Sequence, residues 1–129
     1  LKEHILGEER ANTMLPLFSA QQKKLKFSIH ADQPMFESNP LRLIQTAVER
    51  TTRTGDTLGV NQKITILNAI KAMTINAAWQ IHMDDKIGSL KIGKYADFVI
   101  LDKNPLQVSA SKIQDIKILK TVVNGNIVE

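Results

Sequence analysis

The stretch FSIHADQPM, residues 27–35, places His30 and Asp32 two positions apart. In an extended chain successive side chains point to opposite faces. Ser28, His30 and Asp32 therefore share one face, and Phe27, Ile29 and Ala31 share the other. An aspartate just past the end of a strand has its direction fixed by that strand. Such a carboxylate can accept a proton from water and pass it to a leaving group. A histidine one pleat below it can orient a substrate or hold the aspartate by a hydrogen bond. Two plainer alternatives stand beside these roles: Asp32 as the cap of the turn before Pro34, and His30 as an inward-facing structural histidine. The polar face needs partners in either case, because an ordinary buried strand does not carry unsatisfied polar side chains.

These residues must be positioned by the elements around them. Residues 26–31 are predicted as a short strand, ended by Gln33-Pro34. Upstream, residues 6–22 read as helical, interrupted at Pro16, with Glu8, Glu9 and Arg10 on a wet face. Downstream, Ser38-Asn39-Pro40 is a helix start, with a capping side chain and proline in the first turn. Leu41, Ile44, Ala47 and Val48 follow at helical spacing; Glu49, Arg50 and Arg53 are assigned to solvent, and Gly55-Asp56 to the helix stop. Two short helices come next, with Thr65 and Thr74 as their caps and Trp79 assigned to the core. Residues 96–101 are apolar on both faces and read as a covered strand. The chain closes with a strand, a tight turn at Asn124-Gly125 and a last short strand.

Composition narrows the classes. A chain of 129 residues is one ordinary domain at most. It contains no cysteine, which excludes disulfides and thiolate metal sites. No apolar run is long enough to cross a bilayer, so no membrane partner is expected. No signal peptide is visible, but a chain that begins at Leu1 rather than Met says little about a leader, and the compartment stays unknown, with the cytoplasm only weakly favoured over export. The net charge of +4 raises nucleic acid as a partner. The lysines are scattered, however, apart from Lys23, Lys24 and Lys26, and aromatic residues make up only 5% of the chain. No stacking platform for single strands follows from that composition, and no nucleic-acid partner is expected.

The segment GSLKIGKYADFVILDKNPL, residues 88–106, resembles the C-terminal signature of metal-dependent amidohydrolases. The resemblance extends backwards in the family's order through LGEERA, HADQPM, NPLRLIQTAVERTT and AMTINAAWQI, and forwards to ILKTVVNGNIVE. It covers nearly the whole chain, and the nearest branch is amidohydrolase family 3, including proteins labelled exoenzyme regulatory protein. Any one piece is weak; the ordered set is specific. Two departures are His30-Ala31 before the aspartate, where small residues such as Gly-Ser are common, and Met35 in place of a frequent valine.

The resemblance implies an α/β fold, the C-terminal fragment of a (β/α)8 barrel enzyme joined to part of a small β-sandwich. Residues 1–82 would form the end of the barrel, with its last strand and helices, and residues 83–129 the C-terminal strands of the sandwich. It also implies that Asp32 is both a catalytic residue and a metal ligand at the end of strand eight, where barrel enzymes place chemistry. His30 is carried only as a substrate-binding candidate. The implied reaction is hydrolysis of a carbon–nitrogen bond in a small-molecule amide, with a divalent metal, zinc by preference, in the full-length parent. The family's His-x-His and its other metal-binding histidines have no counterpart here. His4 and His82 lack partner spacing, and Asp84 and Asp85 read as solvated. The chain alone is therefore expected to bind no metal tightly and to be inactive, the rest of the barrel being its partner. Residues 26–31 would then be an exposed edge or unpaired, and the isolated chain is expected to form a homodimer, to swap, or to leave that stretch irregular. The alternative from the branch label is a non-catalytic regulatory or interaction module.

Overall fold

The computed structural model describes residues 5–128. Helices α1 (Gly7–Asn12) and α2 (Leu17–Gln22) flank Pro16, which stands at the N-cap of α2. Helix α3 (Pro40–Glu49) begins as its sequence dictates: Asn39 Oδ1 accepts the Arg42 N–H at 3.0 Å, and Pro40 occupies the first turn. Helices α4 (Ile66–Met73) and α5 (Ile75–Gln80) follow a short 3-10 turn at Val60–Gln62. Thr65 Oγ1 caps α4 through the Asn68 N–H at 3.3 Å. The C-terminal third holds β1 (Phe98–Leu101), a 3-10 segment (Ala110–Asp115), β2 (Ile118–Val123) and β3 (Asn126–Ile127).

The three strands form one antiparallel sheet in the order β1-β2-β3. Phe98 pairs with Val122 and Val99 with Thr121, and the register shifts between Ile100 and Leu101. Asn124 and Gly125 both take positive φ, 49° and 79°, which a two-residue hairpin turn requires.

The core is built on the apolar stripe of α3. Leu41, Ile44 and Ala47 are buried with Ile64, Ala69, Ile113 and Ile116, and Phe27 and Ile29 pack against this cluster. Ile113 and Ile116 bring the stretch after residue 83 into the same core as α3. Gly88 lies against the α4–α5 corner, where an added Cβ would stand 2.7 Å from the Ala78 Cβ and 2.9 Å from the Ile75 Cα.

Several expectations are corrected. Residues 26–31 are not a paired strand among the described residues; of the outcomes expected for a chain cut from its neighbours the structure has the unpaired, irregular one, and α5 side chains meet the Phe27 carbonyl and the Ser28 hydroxyl. Helix α3 ends at Glu49 rather than at Gly55, because Arg50 turns into the left-handed region at φ 57°. Arg50 is not on the wet side. It is only 8% exposed, and its guanidinium donates to the carbonyls of Leu58, Leu15 and Met14. Thr74 does not cap α5; its hydroxyl donates back to the Ile70 carbonyl at 2.8 Å. Trp79 is 41% exposed, with the Lys26 ammonium 4.8 Å from its ring centroid, so it is a surface platform rather than core. Strand β1 is not covered: Phe98, Val99 and Ile100 are 36%, 49% and 43% exposed, because no second layer lies on it among the described residues.

Candidate active site

The site is built on the extended segment before Asp32. Its apolar face carries Phe27 and Ile29 against the core, and Ala31 is buried. Its polar groups are met by one face of α5. Asn76 Nδ2 donates to the Phe27 carbonyl at 3.0 Å, and the Ser28 hydroxyl donates to Gln80 Oε1. Asn76 and Gln80 are four residues apart and so lie on the same side of the helix. Two points along the segment are thereby fixed before the chain reaches His30.

His30 and Asp32 are both exposed. The Asp32 backbone N–H donates to His30 Nδ1 at 3.1 Å. Asp32 takes φ 56°, and its carbonyl accepts the Met35 N–H at 2.9 Å, closing the turn before α3. The turn is thus closed by the backbone of Asp32 and not by its carboxylate. Among the described residues that carboxylate meets no hydrogen-bond donor. His30 also lines an open cleft of about 640 Å3 with Ser28, Thr74, Gln80, Gly88 and Asp97.

Apart from Asp97, which shares the cleft with His30, the other polar residues of the motifs are not gathered here among the described residues. His4 lies outside the described residues. His82 is exposed just past the end of α5, at φ 57°. Lys94 and Asp97 are turn residues with definite partners: Lys94 Nζ donates to the carbonyls of Asp84 and Ile87, and Asp97 Oδ1 accepts the Asn124 N–H at 2.7 Å. Asn76 and Gln80 are the residues that the sequence reading passed over. Their i, i+4 spacing on an otherwise apolar helix was the available signal.

A catalytic zinc takes about three protein ligands. Among the described residues no group of three or more His, Asp or Glu side chains could hold a metal ion. Asp32 offers one free carboxylate, and His30 Nδ1 is engaged by a backbone N–H. The donors among the described residues do not by themselves fit a catalytic metal.

Comparison with known proteins places the chain. The model of the amidohydrolase family matches residues 1–129. The chain is 28% identical over 120 residues to an N-substituted formamide deformylase from Arthrobacter pascens, covering 92% of this chain and 22% of that protein. It is 37% identical over 122 residues to the protein LONG AFTER FAR-RED 3 of Arabidopsis thaliana, covering 93% of this chain and 21% of that protein. The chain therefore spans about a fifth of the length of these relatives. The crystal structure of an amidohydrolase from Thermotoga maritima MSB8 superposes with a TM-score of 0.66 at 17% identity, over 88% of this chain and 25% of that one. Matched over its full length by the family model, this chain belongs to amidohydrolase family 3.

Proposed function

We propose that the chain is the C-terminal portion of a metal-dependent hydrolase acting on non-peptide carbon–nitrogen bonds, with Asp32 as its contribution to catalysis. The observation that carries this is the state of Asp32. Its carboxylate is exposed, not used to cap its turn, and set at the end of an extended segment anchored by the core and by α5. The segment runs through a short turn into α3, and its Phe27 and Ile29 pack against the core cluster to which α3 contributes Leu41, Ile44 and Ala47, an arrangement compatible with a barrel strand and the helix that follows it. On this reading residues 26–31 are the last strand of a (β/α)8 barrel, residues 1–82 close that barrel, and residues 83–129 belong to a small β-sandwich. Barrel enzymes place their chemistry at the C-terminal ends of strands, where Asp32 stands.

Asp32 then accepts a proton from the attacking water and returns it to the leaving nitrogen. The divalent metal that the family implies, zinc by preference, would lower the pKa of water to about 7; apart from Asp32, its ligands would come from outside this chain. The formamide deformylase among the relatives favours small amides as the substrate class.

The test is a hydrolysis assay of the full-length protein on N-substituted formamides and simple amides, before and after chelation, beside the 129-residue chain. Turnover by the full-length protein should vanish on chelation and return with zinc, and the 129-residue chain should show neither turnover nor stoichiometric zinc. A full-length protein without hydrolytic activity would favour the regulatory module, and a chain that turns over alone would sink the fragment reading.

A further inference from the structure

Resting on the assignment of Asp32 above, we infer that His30 is a positioning residue, whose Nδ1 holds the Asp32 backbone in the one conformation that directs its carboxylate. Nδ1 accepts the Asp32 N–H at 3.1 Å, so the ring proton resides on Nε2. Asp32 sits at φ 56°, a region that residues other than glycine enter at a cost. Two hydrogen bonds pin that conformation, one on each side of the Asp32 Cα: His30 Nδ1 on its N–H, and the Met35 N–H on its carbonyl. With both flanking peptides held, the Cα–Cβ direction is set. The carboxylate has no donor of its own among the described residues, so its aim comes from the backbone. The anchors at Phe27 and Ser28 give the imidazole a fixed base from which to act.

The acceptor position makes the inference testable by shape. Asparagine at 30 can offer Oδ1 to the N–H two residues on, as in an Asx turn. Glutamine carries its oxygen one bond further out, near the place of Nε2, and phenylalanine has the ring without the acceptor. In the full-length enzyme, His30→Asn should keep kcat within about threefold, while His30→Gln and His30→Phe should lose roughly 10- to 100-fold in kcat with KM little changed, the scale of a misplaced reacting group. Amide exchange at the Asp32 N–H should stay slow in His30→Asn and become fast in His30→Phe, a readout independent of turnover. A loss in His30→Asn equal to that in His30→Gln, or a change confined to KM, would overturn the positioning role and favour direct substrate contact. Asp32→Asn run in parallel separates the two claims: if it is inactive and the His30 series is flat, only the positioning role fails; if it is active, both fail.

Discussion

At the scale of single residues, what decides each role is which atom makes the bond. Asp32 and His30 were legible as a pair from alternation alone, since an i, i+2 spacing before a proline turn has few other geometries. Which atoms would meet was not legible: the link runs from the Asp32 backbone to His30 Nδ1, not from carboxylate to imidazole. Arg50 shows the limit more sharply. Helical spacing put it in solvent, yet the left-handed turn at Arg50 rotates its side chain inward onto the carbonyls of Met14, Leu15 and Leu58. Burial lowers its pKa from the ordinary value by desolvation, and the guanidinium remains a cation tied by three backbone bonds. Replacing Arg50 with methionine keeps much of the volume and orphans those three carbonyls. Chemical denaturation should show a loss of about 3 kcal/mol, and a loss below about 0.5 kcal/mol would contradict the clamp.

At the scale of elements, the helices were readable where a cap or a stripe announced them. Asn39 and Pro40 start α3, and Leu41, Ile44 and Ala47 face the core, as their types and spacing require. Asn39→Ala should cost about 1 kcal/mol by removing the acceptor for the Arg42 N–H, measurable in the same denaturation experiment, whereas Asn39→Asp should cost little. Strands were harder to read, because a strand is completed by neighbours far away in sequence. Residues 26–31 have strand-like alternation and an inward apolar face, but no ladder among the described residues. Strand β1 reads as covered from its composition and is open in the structure, because apolar residues on both faces do not by themselves supply a second layer, and none lies on it among the described residues. Thr74 marks a different limit. A threonine between two helices can cap the second or bond back to the first, and the four-residue return to the Ile70 carbonyl won.

At the scale of the whole molecule, the chain is a family member spanning about a fifth of its relatives' length. Its core joins α3 and α4 to the 3-10 segment at Ala110–Asp115 through Ile113, so the two stretches on either side of residue 83 are packed together. What that core holds in place is the segment before Asp32, with its α5 anchors and a carboxylate that meets no hydrogen-bond donor among the described residues; in the proposed function this is one wall of a site. The order of the motifs carried the family; the packing of Phe27 and Ile29, with the anchors from Asn76 and Gln80, fixes the segment that leads to Asp32 and was not legible in the sequence. The most direct test is the kcat of Asp32→Asn in the full-length enzyme on a substrate that the parent hydrolyses. A general-base role predicts a fall of roughly 100- to 10,000-fold with the melting temperature preserved. A variant that keeps kcat within a few-fold of the parent would contradict the account at its center.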